Sequence, residues 1–270
     1  MSMVSSIDSE AEIIADSAYS NIKEWIPTGN LMLNACMGGS LFSGVPTGRV
    51  TTLVGESGCA KSYLAVSICR EAQKMGYTPI VLDSEGAYDS EFVRRLGADP
   101  TKFIIKQVNT ITETSRFIAN LCKKLQEQDE KYGQHDKIII VLDSLGNLTS
   151  EKERDDTLSG NQKRDMTKQQ EIKAMFRVNA TPIARLQIPW VVVSHVYASM
   201  NMFSPGNVVS GGSGIIYNSS LTIELFKSKL VDKENDERAA KQAGKVTKNG
   251  ILVTAKPQKS RFVITRPVTF

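Results

Sequence analysis

Eight residues constrain this chain more than any others: Gly55-Glu56-Ser57-Gly58-Cys59-Ala60-Lys61-Ser62. They follow the β-branched run Val50–Val54 and precede an apolar periodicity at Ala65, Val66, Ile68, Cys69 and Ala72. A glycine-containing turn between a strand and a helix aims consecutive backbone N–H groups at one spot, beside the positive end of the helix dipole. Such a turn suits phosphate. Lys61 is spaced to reach the outer phosphates of a nucleotide, and the Ser62 hydroxyl to hold Mg²⁺. Where the usual pattern has glycine before the lysine, this chain has Ala60. A methyl group fits there at negative φ, so we expect φ at Ala60 to be negative. Strand, turn and amphipathic helix in this order favour nucleotide binding over a chance Gly/Ser turn.

The alternation continues along the chain. Apolar runs at Thr78–Asp83, Phe103–Val108, Lys137–Asp143 and Pro189–Ser194 predict further strands. The gaps between the runs carry helical periodicity, at Ala60–Met75, Ser90–Leu96, Ile111–Glu127 and Asp165–Leu186. Nearly continuous apolar strands separated by helices predict an α/β fold, a twisted, mostly parallel sheet covered on both faces. Residues 7–25 predict a short amphipathic helix, and Ile26–Arg49 a turn-rich lead-in. Val196–Ile215 shows no regular element, which in a compact domain marks a functional loop or disorder. Strands resume at Leu221–Phe226, Ile251–Ala255 and Phe262–Arg266, expected as antiparallel edge strands.

With 41% hydrophobic and 23% charged residues the composition is that of an ordinary soluble domain. No apolar run approaches the ~20 residues that span a bilayer. Residues 1–25 lack a basic start and a cleavable apolar core, so no secretory signal is expected. Four widely spaced cysteines and two histidines give no zinc-ligand pattern. They predict reduced thiols and a cytoplasmic protein. Residues 226–270 hold eleven Lys/Arg against four Asp/Glu, while the rest is slightly acidic. That basic segment suits a polyanion or an acidic partner, and equally a solvated lysine-rich loop.

Three further strand ends carry chemistry. Asp143 closes an apolar run and is placed to support Mg²⁺ beside the phosphate loop. Glu85, after Val81-Leu82-Asp83-Ser84, would orient the water that attacks a terminal phosphate; a turn cap is the plainer role. Ser194-His195 precede the long polar segment and could pass the state of the phosphate to it, although a polar strand end is common. Ser150–Gln169, with Lys163 and Arg164, and Val196–Ile215, with Tyr197, Met202 and Phe203, combine basic, apolar and glycine residues. That mixture suits single-stranded nucleic acid.

Taken together, Gly55–Ser62, Leu82–Glu85, Leu96–Pro100, Val141–Leu148, Asp165–Thr167, Phe176-Arg177, Ser194-His195, Gly211–Gly214 and Lys259–Arg261 resemble, in collinear order, the RecA-like recombinases, most closely the UvsX recombinases of phages. The resemblance covers most of the chain from residue 26 onward. It implies a RecA-like ATPase core over 26–270 and an N-terminal arm, 1–25, that docks on the next protomer. By the same resemblance the loop residues Gly55 to Ser62 and Tyr63 bind ATP, with Asp89 and Phe92 at the adenine. Lys61 and Glu85 take catalytic roles, Ser62 and Asp143 serve Mg²⁺, and His195 couples phosphate to DNA. Lys259 and Arg261 would reach the ATP of a neighbouring protomer. The implied DNA loops, about 150–167 and 196–215, bring Lys163, Arg164, Tyr197, Met202, Phe203, Gly211, Gly212, Ser213 and Gly214 to the DNA, together with Arg177. The implied activity is ATP-dependent filament formation on single-stranded DNA with pairing and strand exchange against a duplex, assisted by mediator and single-strand-binding proteins. A hexameric helicase of the same fold and a non-hydrolysing DNA-binding accessory remain the alternatives.

Overall fold

Ile138 to Leu142 is apolar at every position because both faces of its strand are covered. Ile139 and Val141 join one core with Leu64, Ile68 and Ala72. Ile138, Ile140 and Leu142 join another with Ile118, Phe176 and Trp190. The computed structural model describes residues 14, 17, 19–159, 167–198, 207–210, 212–231 and 248–270. Its first elements are β1 (Trp25–Ile26), α1 (Leu31–Gly38), β2 (Val45–Pro46), β3 (Val50–Gly55), α2 (Lys61–Lys74) and β4 (Thr78–Asp83). Then come α3 (Ser90–Arg95), β5 (Ile104–Gln107), α4 (Ile111–Tyr132), β6 (Ile138–Asp143), α5 (Glu151–Leu158) and α6 (Lys168–Arg185). The remainder is β7 (Trp190–Ala198), β8 (Asn207–Val209), α7 (Ser213–Asn218), β9 (Leu221–Val231), β10 (Lys248–Ser260) and β11 (Val268–Thr269).

Among the described residues the main sheet runs β11-β10-β9-β3-β7-β6-β4-β5. From β9 to β5 every pairing is parallel. Helix α2 covers one face, and α4, α6 and α7 cover the other. The chain is thus an α/β fold with a mostly parallel sheet between helical layers.

Local signals explain the helix limits. The Thr110 hydroxyl accepts from Glu113 N at the start of α4, and Gly133 ends the helix with φ 69. Its buried positions Ile111, Thr114, Ile118, Cys122 and Leu125 keep helical spacing. The apolar periodicity fades after Leu125, but the polar tail goes on adding turns until that glycine, so α4 outruns its expected end at Glu127.

Several expectations need correction. Val196–Ile215 is not featureless: β7 continues to Ala198, β8 folds back on it and α7 follows. β9 is an interior strand, parallel to β3, and the antiparallel edge begins only at β10. The last strand is Val268–Thr269, not Phe262–Arg266. The lead-in holds α1, capped by the Asn30 side chain on Leu33 N and closed by Gly39 at φ 81. Trp25–Ile26 pairs with Val45–Pro46 rather than ending a helix. Most of the expected N-terminal helix lies outside the described residues.

Phe176 and Trp190 are both fully buried, with ring centroids 5.0 Å apart. Phe176→Ala should cost about 3–5 kcal/mol in urea unfolding; a loss below about 1 kcal/mol would refute the placement of this core.

Candidate nucleotide site and nucleic-acid surface

Strand β3 ends at Gly55, where a Cβ would come within 2.5 Å of Cys59 Sγ and 2.6 Å of the Leu225 carbonyl oxygen. Only glycine fits. The turn then passes through Gly58 at φ 74 and Ala60 at φ 67. The expected negative φ at Ala60 is therefore wrong: the loop needs a left-handed residue before α2, and alanine adopts that shape. The strain is about 1–2 kcal/mol, which the surrounding structure must offset.

Lys61 is 6% exposed, and its ammonium donates to the carbonyls of Gly55 (2.9 Å) and Glu56 (2.7 Å). His195 Nδ1 lies 3.4 Å from the same nitrogen. A buried cation is thereby held by the inner surface of the phosphate loop. Lys227, two residues past the end of β9's pairing with β3, donates to the Ser57 carbonyl at 2.5 Å on the exposed side of the loop.

The neighbouring strand ends are stitched together. Asp83 Oδ1 accepts from the backbone N–H groups of Glu85 and Gly86, both at 2.9 Å, which shapes the turn carrying Glu85. The Ser84 hydroxyl donates to the Ser144 carbonyl and accepts from Ser144 N. Glu85 Oε1 accepts from the Ser144 hydroxyl at 2.6 Å and lies 3.0 Å from His195 Nε2. Partial burial pushes the Glu85 carboxyl up, but hydrogen bonds from Ser144 and His195 and the charge of Lys61 outweigh it, leaving the carboxyl below its ordinary value. Asp143 behaves oppositely. Burial raises it, and hydrogen bonds from Ser62 and Tyr88 offset only part of that.

A cleft of about 210 Å³ is bounded by Ser57, Gly58, the segment Ala60–Tyr63, Glu85, Asp143 and His195. The Ser62 hydroxyl and Asp143 carboxylate are hard oxygen donors, and the loop is a backbone cradle in which a Cβ at Gly55 would collide. This set fits Mg²⁺ bound with a nucleotide's phosphates. No cluster of three or more His, Cys, Asp or Glu able to hold a metal alone exists among the described residues.

The remaining predicted residues sort by position. Asp89 and Phe92 lie outside the cleft lining. The Asp89 side chain caps α3, accepting from Phe92 N at 2.7 Å, and the Phe92 ring packs against Tyr88. Lys259 pairs with Thr222 at the opposite end of β9 from the phosphate loop, and its ammonium donates to the carbonyls of Ile216 and Tyr217. Arg261 lies two residues further on, its backbone N–H donating to the Ser220 carbonyl, and neither cation lines its own chain's cleft. Arg177 is exposed on α6 and Tyr197 is 58% exposed on β7. Gly214 packs α7 on α6: a Cβ there would meet the Lys173 side chain at 2.8 Å. Gly212 starts α7 at φ 75, and Ser213 is its first residue. Lys163, Arg164, Met202, Phe203 and Gly211 lie outside the described residues, and the expected loop at 150–167 opens with α5. Sequence reasoning missed Tyr88 and Lys227. Neither belongs to a motif, and only the fold brings them to the site.

Ala60→Gly should relieve the left-handed strain and leave stability unchanged or higher by up to about 1 kcal/mol. Ala60→Val should lose about 1–3 kcal/mol, because a β-branched residue resists positive φ. Thermal unfolding checks both, and equal stability of the two variants would contradict the loop geometry.

No helix among the described residues is long and apolar enough to cross a membrane. The chain is similar to the "Recombination and repair protein" of Enterobacteria phage T4, 27% identical over 224 residues, covering 82% of this chain and 55% of that protein. It is 26% identical over 244 residues to "Protein RecA" of Solidesulfovibrio magneticus, covering 88% and 63%. Against "Protein RecA" of Ureaplasma parvum the identity is 26% over 257 residues, covering 93% and 70%. The chain thus spans roughly half to two thirds of the length of these relatives. The RecA N-terminal domain model matches residues 11–265, nearly the whole chain. With the phosphate loop, the strand-end acids and the parallel sheet, this match establishes that the chain belongs to the RecA N-terminal domain family.

Proposed function

We propose that this protein is an ATP-dependent DNA recombinase that assembles as a helical filament on single-stranded DNA and carries out homologous pairing and strand exchange with a duplex. One observation carries the reading. The phosphate loop, Glu85, Asp143 and His195 meet in a single cleft, and His195 is hydrogen-bonded onward to the segment leading into α7.

In this reading Lys61 exchanges the carbonyls of Gly55 and Glu56 for phosphate oxygens. Ser62 and Asp143 would hold Mg²⁺, which would supply charge neutralisation at the outer phosphates. Glu85 stays ionised and orients the attacking water, its carboxylate fixed by Ser144 and His195. Asp89 and Phe92 serve the adenine. Hydrolysis would yield ADP or AMP together with phosphate.

The coupling path starts at His195. Its Nε2 meets Glu85, its carbonyl accepts from Ser210 N at 2.7 Å, and Gly212 N donates to the Val209 carbonyl at 2.9 Å. Loss of the terminal phosphate would shift Glu85 and His195, and with them the segment carrying Gly212, Ser213 and Gly214. Arg177 and Tyr197, both exposed, would offer the DNA a cation and an aromatic face, with Lys163, Arg164, Met202, Phe203 and Gly211 as further contacts. The placement of Lys259 and Arg261 away from their own cleft supports their use by the adjacent protomer, as filament assembly requires. Mediator and single-strand-binding proteins would assist loading, in the cytoplasm.

Lys61→Ala should abolish DNA-stimulated ATP turnover, a loss of at least about 100-fold. Glu85→Gln should still bind ATP while hydrolysis falls by about 100-fold or more. Steady-state phosphate release and equilibrium binding of a fluorescent ATP analogue separate these cases. Wild-type turnover in Lys61→Ala would rule out the phosphate-loop assignment, and wild-type turnover in Glu85→Gln would remove that residue from the reaction.

A further inference from the structure

Tyr88 lies in the short segment between Glu85 and Asp89, and its phenol donates to Asp143 Oδ2 at 2.7 Å. The ring is held on two sides. Phe92 packs edge-on at 6.2 Å, and Phe103 lies tilted at 6.4 Å. Asp143 is 1% exposed. A carboxylate at a strand end can rotate about its last side-chain bond. A clamped phenol fixes one oxygen and so sets the direction of the other. Burying a phenol hydroxyl is costly without an acceptor, and Asp143 is the acceptor here. An aliphatic or phenylalanine side chain would fill the same space without this bond.

We propose that Tyr88 is a positioning residue for the Mg²⁺-nucleotide complex: it orients the Asp143 carboxylate and ties that carboxylate to the seat of α3. The inference rests on the cleft being a Mg²⁺-ATP site. It adds a link between two parts of that site. The segment Glu85–Phe92 carries the acid that orients water, the phenol that orients Asp143, and the cap and ring of α3. A shift of α3 on binding the base would therefore be felt at the metal side through one rigid ring.

The test is a Mg²⁺ titration at fixed, subsaturating fluorescent ATP analogue, read as equilibrium binding in the full chain. Tyr88→Phe should raise the half-saturating Mg²⁺ concentration about 10-fold, as loss of an outer-shell partner does. In an Asp143→Asn background the same change should have no further effect. An unchanged Mg²⁺ midpoint in Tyr88→Phe overturns the proposal. So does an equal shift in the Asp143→Asn background, which would show that the hydroxyl acts elsewhere. A drop of more than about 5 °C in the nucleotide-free thermal midpoint of Tyr88→Phe overturns it too, by showing a role in folding. Failure of the wild-type chain to bind the analogue at any Mg²⁺ concentration would instead overturn the nucleotide reading itself.

Discussion

Gly55 lies level with His195, and Asp83 with Asp143, because β3, β7, β6 and β4 pair in parallel register. Side chains alternate along a strand, so parity decides which layer each residue faces. Leu53, Val81, Val141 and Val193 pack on the α2 side. Two residues further along each strand, Gly55, Asp83, Asp143 and His195 keep that parity and reach the edge on the same side as Lys61. A slip of one residue in any of these strands would send a polar end to the α4–α6 side and dismantle the cleft. The apolar register thus fixes the chemistry: burying Leu53, Val141 and Val193 correctly is what assembles the polar edge.

The edge gathers charge that would be costly if unpaired. Lys61 is nearly sequestered but has two carbonyl oxygens, and Glu85 has two donors. Burial and the neighbouring Glu85 and Asp83 disfavour the charge on Asp143, and hydrogen bonding offsets only part of that. A divalent cation held there would relieve that cost, because buried charge is stabilised by an opposite charge. The same residues that make the cleft ready for a cation and phosphates thus make it uncomfortable without them.

Strands, α2 and the parallel sheet were legible in the sequence because apolar runs and helical periodicity are local signals. Gly55, Lys61, Ser62, Glu85, Asp143 and His195 were legible because each sits at a fixed offset from such a run. What escaped depends on contacts between distant segments. Tyr88 acquires a role only when β4 and β6 lie side by side, and Lys227 only when β9 pairs with β3. Ala60 takes φ 67 because the closed loop overrides a residue's own preference for negative φ, and that demand is not written in the local sequence. α1 and α7 are hard to read locally because glycine and asparagine beside them resemble loop, whereas Asn30, Gly39 and Gly212 are the caps and boundaries of those helices.

If the cleft senses a triphosphate and passes its state through His195 and Ser210 toward α7, nucleotide must change the affinity for nucleic acid. The most direct measurement is the fluorescence anisotropy of a labelled single-stranded oligonucleotide titrated with the protein, with a non-hydrolysable ATP analogue or with ADP. A coupling of 1–3 kcal/mol corresponds to an affinity about 5- to 150-fold tighter with the ATP analogue. Equal affinities in the two nucleotide states would contradict the account.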